Sequence, residues 1–377
     1  MAYCLAAITL LSGCARALNP TPPSPGLKMS SAQPDARKYQ VLHSFSGEPD
    51  GQTPLEINFF SGSLFGTTQA GGSTGRGTVF RSSLSGKTSV IYSFKGGNDG
   101  FEPSGGLTPF HGSFYGATFY GGGGSCSSSN GCGTIYAVDS TGTERVVYRF
   151  KANKNDGWYP DGPLVSMNGV LYGTTFSGGA HGYGTVFSVT PSGTENIIHS
   201  FRRSSDGASP SGSLIKLSGL LYGTTVYGGK ANEGTVFAMT PFGKETVLHQ
   251  FQGITDGSEP NSLIAAHGVL YGTTTFGGSQ TCEGGGRPCG VVFSVAKSGH
   301  EKVLYRFQGY DDGALPNSLI WLNGQLYGTT LVGGVSGQYG TIFSLTRSRI
   351  KNTLYRFKGT PDGNAPGGLT VVNGLLY

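Results

Sequence analysis

Apolar and polar positions alternate in short runs along almost the whole chain, and the runs come in groups of four. Residues 164–167 and 170–175 are apolar-rich and are joined by Asn168-Gly169, a pair that tolerates the two left-handed positions of a type I′ turn. Residues 185–190 and 195–201 place large apolar side chains at every other position on either side of Pro191-Ser192-Gly193, again a turn sequence. Each unit therefore predicts two hairpins, that is, four antiparallel strands here called a, b, c and d. Nowhere in the body of the chain is a helical spacing of apolar residues sustained, and Gly interrupts almost every window, so helix is expected to be nearly absent.

Units are separated by Asp-Gly-x-x-Pro, with the aspartates at Asp50, Asp99, Asp156, Asp206, Asp256, Asp312 and Asp362, spaced 49 to 57 residues apart. Four strands in about 50 residues is the period of a propeller blade. In each corner the Asp can accept backbone N–H groups, the Gly supplies positive φ and the Pro opens the next strand, where its missing donor matters least. The seven aspartates are accordingly read as turn-formers. A ring of them on one rim that holds Ca²⁺ or a basic ligand is the competing reading.

The ends of the array complement each other. Residues 39–45 read as a d strand with no a, b or c before it, and residues 369–377 read as an a strand and most of a b strand with no d after it. Six full units lie between. The expectation is an all-β fold, a seven-bladed β-propeller of about 50-residue four-stranded repeats, whose last blade is composite, joined from both ends and incomplete because it lacks a c strand. An open β-solenoid is the alternative, although it has no use for a detached d strand.

From Leu171 to Phe187 the chain is similar to the bacterial GloVer (Gloeo/Verruco) tandem-repeat family, whose pattern is L-Y-G-T-T, a Gly pair, then G-T-V-F. The first part stands here at Phe65-Gly66-Thr67-Thr68, Tyr115-Gly116-Ala117-Thr118 and Tyr172-Gly173-Thr174-Thr175. It returns at Tyr222-Gly223-Thr224-Thr225, Tyr271-Gly272-Thr273-Thr274 and Tyr327-Gly328-Thr329-Thr330. The later G-T-[VI]-[FY] recurs in five units, and the fifth carries Gly290-Val291-Val292-Phe293 instead. The resemblance covers about nine-tenths of the chain. It implies exported, anchored repeat proteins and no established common activity.

Composition bears on the compartment. Only 12% of residues are charged, while 66 Gly and 19 Pro sit at fixed phases beside many aromatics. The net charge of +5 is scattered, with no Lys/Arg cluster interleaved with exposed aromatics, so nucleic acid is not an expected partner. Residues 3–11 form a short apolar run ahead of Leu11-Ser12-Gly13-Cys14, which resembles a lipobox with Cys14 as the lipid-bearing terminus; a plain export signal cut after Ala15-Arg16-Ala17 is the alternative. The domain reading is an export signal with lipobox at 1–14, a Pro/Ser-rich tether at 15–38 and the repeat domain at 39–377. The remaining cysteines fall in close pairs, Cys126 with Cys132 and Cys282 with Cys289, each inside an extended b–c loop, and are expected to form local disulfides in an oxidising compartment. Zinc competes for them, but the spacing lacks paired C-x-x-C or neighbouring His ligands.

Catalytic chemistry is not legible. The glycine-rich b–c loops precede strands, not helices, and so are not phosphate cradles. His43, His199 and His249 share a d-strand position that holds Tyr in other units, which reads as packing. No metal or cofactor is expected. Residues that break the repeat are the better pointers to a ligand, and Trp158, Tyr159 and Trp321 are the candidate contacts. The functional expectation is an exported or lipid-anchored, noncatalytic, monomeric binding module for a surface carbohydrate or protein. A propeller-fold hydrolase or lyase acting on extracellular carbohydrate, and a purely structural envelope protein, are the alternatives.

Overall fold

The computed structural model describes residues 39–124, 126, 130–278, 289–334 and 338–377, together with the backbone of residues 3–8. Each repeat forms one antiparallel sheet whose strands lie in chain order. In the third blade these are Gly157–Met167, Val170–Gly178, Thr185–Val189 and Glu195–Ser200. Asn168 and Gly169 take φ of 53° and 78°, the left-handed pair that the turn requires. Among the described residues there is no α-helix, only a 3-10 turn at Tyr310–Asp312.

The repeated letters have distinct jobs. The b-strand Gly lies beneath the aromatic ring of strand c. A Cβ at Gly66, Gly173, Gly223, Gly272 or Gly328 would come within 2.3–2.7 Å of the facing Phe ring, so no side chain fits there. The last Thr of the motif is fully buried and shares its hydroxyl with the first Thr of strand c. The pairs Thr68–Thr78, Thr118–Thr134, Thr175–Thr185, Thr225–Thr235 and Thr330–Thr341 are 2.8–2.9 Å apart. In the fifth blade, where Val291 replaces that Thr, the Val291 N–H still donates to Thr274 Oγ1 at 3.1 Å. Buried hydroxyls thereby stay paired.

Blades are joined by aromatic contacts. In six of the seven d strands the closing Phe meets the c-strand ring of the next blade edge-on, and the seventh, Phe357, meets Tyr39. Phe45–Phe80, Phe94–Tyr136, Phe150–Phe187, Phe201–Phe237, Phe251–Phe293 and Phe307–Phe343 have centroids 4.9–5.3 Å apart. These twelve rings are all 0–1% exposed and form the core between wedges.

The ends meet, which removes the open solenoid. Tyr39–Phe45 seats Tyr39 on Tyr355 of the sixth blade (4.1 Å, stacked) and Phe45 on Phe80 of the first. Six complete blades are present, not seven. The ends share a further sheet in the order 39–45, 3–8, 375–376, 371–372. Residues 3–8, expected in the export signal, stand here at the c position that residues 369–377 leave unfilled, pairing with 39–45 on one side and with Leu376 on the other. An apolar extended segment satisfies backbone groups that strand d would otherwise leave bare.

Candidate functional site

The a strands surround a central channel with a cavity of about 460 Å³. Each enters it through a backbone twist: Thr53, Glu102, Tyr159, Ser209, Glu259, Leu315 and Ala365, all directly before the corner Pro, have φ between 45° and 60°. Aligned on that Pro, the next two residues are Ser-Gly, Asn-Ser or Gly-Gly in five units, but Leu55-Glu56 and Asp161-Gly162 in the other two. Among the described residues that line the channel Glu56 is the one charged side chain, and Asp161 lies buried near it, next to the lining residue Gly162.

Glu56 reaches channel solvent while protein encloses it on all sides, and no hydrogen bond is made to its carboxylate among the described residues. Its neighbours make room for it. A Cβ on Gly106 would stand 3.1 Å from Glu56 Oε2, and one on Gly368 would stand 2.9 Å from its Cγ. Enclosure raises the Glu56 pKa above the usual carboxylate range, and the Asp161 charge raises it further. Asp161 is raised by burial as well, offset by the Ser211 hydroxyl at 2.8 Å and by the Gly162 and Gly212 N–H groups. Several other polar side chains around the wall are already engaged; Asn58, for example, donates to Leu107 O at 3.1 Å. The channel wall thus offers an unpaired acid with a second, hydrogen-bonded acid behind it, and no cation among the described residues that line it.

The seven corner aspartates do not form an open ring. Each lies at a seam between blades and accepts the N–H of the residue four or five before it, at 2.6–3.0 Å. Each also bonds the d-strand His or Tyr of its own corner, at 2.6–3.1 Å. The turn-forming role is met. The d-strand position expected to serve packing alone is in fact the aspartate's second partner. A third group was not anticipated: Glu144, Glu195, Glu245 and Glu301, each opening the d strand of the following blade, face these aspartates with one oxygen buried and unpartnered. Burial first and the facing Asp second push Glu144 and Glu195 up to about 7; burial does most of the same for Glu245, where His199 partly opposes it. His249, Asp256 and Glu301 bring ligand-type atoms within 4.8 Å of one another. The 2.9 Å His249–Asp256 bond recurs as Tyr–Asp in other corners, which makes the cluster a seam and not a metal centre.

Other expected contacts separate. Tyr159 is 8% exposed and stacks on Phe119 at 4.9 Å, and Trp158 packs against the core of the second and third blades. Trp321 lines a rim cavity between the fifth and sixth blades. Cys126 and Cys132 are bonded, with Cα atoms 5.4 Å apart, and Cys289 is in a disulfide. Cys282 and Cys14 lie outside the described residues.

Known structures share this architecture at low identity. The periplasmic gluconolactonase PpgL of Pseudomonas aeruginosa is 17% identical, with TM-score 0.54 and coverage of 87% of this chain and 93% of that one. The extracellular domain of the hybrid two-component system BT4673 from B. thetaiotaomicron is 10% identical, with TM-score 0.57 over 86% of this chain and 36% of that one. The computationally designed Ika8 protein is 12% identical, with TM-score 0.51 and coverage of 89% and 83%. These likenesses speak for the fold alone. No curated protein matches the chain in sequence. The Gloeobacter/Verrucomicrobia repeat model matches residues 55–283, more than half of the chain, and the chain belongs to that family.

Proposed function

We propose that this chain is an exported, noncatalytic propeller that binds a small polyhydroxylated ligand in its central channel. The observation that carries the reading is Glu56, an enclosed carboxylate open to the channel and free of protein partners. Its carboxylate supplies acceptors for sugar hydroxyls with the Asp161 charge behind it, and the absence of cations among the described residues of the wall disfavours anionic ligands. Export agrees with the Cys126–Cys132 disulfide and with a PpgL neighbour named as periplasmic. No helix of the described residues is long and apolar enough to cross a membrane.

A charge-assisted hydrogen bond contributes about 1.5–3 kcal/mol, or roughly ten- to a hundredfold in affinity. Glycan-array screening followed by calorimetry on the best hit should therefore show at least a tenfold loss for Glu56→Gln and for Asp161→Asn. Unchanged binding in both variants refutes the channel site. The hydrolase reading draws support from the same pair, since burial first and the Asp161 charge second raise the Glu56 pKa, and a protonated Glu56 would suit a general acid. It requires glycan turnover that is lost in both variants and retained in Trp158→Ala.

A further inference from the structure

The rim formed by the a–b and c–d turns carries a second cavity, of about 510 Å³, between the fifth and sixth blades. Its centre is Trp321. The indole stacks on Tyr271 with centroids 5.4 Å apart and 30° between planes, and meets His267 edge-on at 5.4 Å. Arg347 lays its guanidinium 5.4 Å from the indole centroid, and Arg349 stands two residues further along the same turn. Leucines, among them Leu304 and Leu345, complete the wall.

Three observations set this turn apart. Arg349 has a φ of 64°, whereas the corresponding residue of the other five complete blades is a glycine, Gly86, Gly142, Gly193, Gly243 or Gly299, at 88–93°. An arginine there bears backbone strain that the repeat elsewhere avoids, and strain of this kind concentrates at ligand sites. Neither Arg347 nor Arg349 takes part in an ion pair among the described residues, and no acid lines the cavity. The ring contact restrains Arg347 before any ligand arrives, which lowers the ordering cost of binding.

We propose that this cavity binds an acidic saccharide, with the carboxylate of a hexuronate residue held by Arg347 and Arg349 and the sugar's C–H face laid against the aromatic and leucine wall. The planar guanidinium fork matches two carboxylate oxygens, and the aromatic wall suits a ring with an apolar face. The site is independent of the channel and stands or falls without it.

The test is calorimetric titration of the full chain with trigalacturonate, with its methyl ester and with sodium sulfate. The expected result is binding of the acid at least tenfold tighter than the ester, weakened by salt, with sulfate a poor competitor. Arg347→Ala and Arg349→Gly should each weaken binding at least fivefold. Arg349→Gly should melt no lower than the parent, because it restores the residue the other turns use, and this separates recognition from folding. Equal affinity for acid and ester, or full binding by both variants, overturns the proposal. Sulfate competing as strongly as trigalacturonate overturns the saccharide assignment.

Discussion

The seam glutamates make the fold's stability depend on pH in a direction opposite to that of most acid-rich proteins. Take Glu195, which faces Asp156, Tyr148 and Lys151 across the seam between the second and third blades. Its pKa is pushed up from 4.5 to about 7 by burial first and by the Asp156 charge second. The folded chain therefore holds a proton that the unfolded chain has released between these two values. Stability from this group is full below about pH 4.5 and is lost as pH rises through about 7. At 1.36 kcal/mol per unit the shift corresponds to roughly 3 kcal/mol, which solvent reaching the half-buried side chain reduces to the order of 1–2 kcal/mol. Glu144 and Glu245, also near 7, add terms of the same sign. The lowered pKa values of Asp50 and Asp206 act with the opposite sign, but below about pH 4, outside this window.

Glu195→Gln removes one titration while keeping the shape. Its amide can donate to Asp156, as Lys351 does to Asp312 at 2.8 Å in the one seam where a lysine takes the glutamate's place. Urea unfolding at half-unit steps from pH 4.5 to 8.5 should find the parent losing stability as pH rises. The variant should match it near pH 4.5 and exceed it by about 1–2 kcal/mol at pH 8. A variant with the parent's slope, or one less stable than the parent at pH 8, would refute the reasoning.

Two further outcomes are expected from the packing. Tyr136 stands where the other complete blades carry Phe and buries a hydroxyl that has no partner, so Tyr136→Phe should raise stability by roughly 1 kcal/mol or more in denaturant unfolding. Gly173→Ala places a Cβ 2.6 Å from Phe187 Cζ and 2.7 Å from Leu164 Cδ2, and overpacking of this kind should cost about 1–3 kcal/mol in the same assay.

Much of the architecture was legible because the repeat writes each structural job at a fixed phase. The Asn168-Gly169 turn, the corner aspartates and the orphan strand at 39–45 all follow from local chemistry repeated often enough to remove ambiguity. The site residues were not legible in the same way. Glu56 and Asp161 become conspicuous only when the a strands are aligned on their prolines, since each is an ordinary acid within its own few residues. The seam glutamates recur at one phase, yet nothing local says that they face an aspartate across a blade boundary. Tyr159 breaks the repeat and so reads as a candidate ligand contact, but the left-handed twist before Pro160 turns its ring onto Phe119.

The edge-on rings that link the wedges carry a consequence for how such arrays change size. Every d-strand Phe finds its partner in the following wedge, so the unit that can be copied or deleted intact is not the blade as drawn but an interval that opens and closes in the same turn. A crossover between strands c and d would transmit both halves of each aromatic handshake, the d-strand Phe and the c-strand ring that follows it, with the corner acid between them. One falling in the Asp-Gly corner would part each Phe from its ring and leave both to find partners in neighbouring copies.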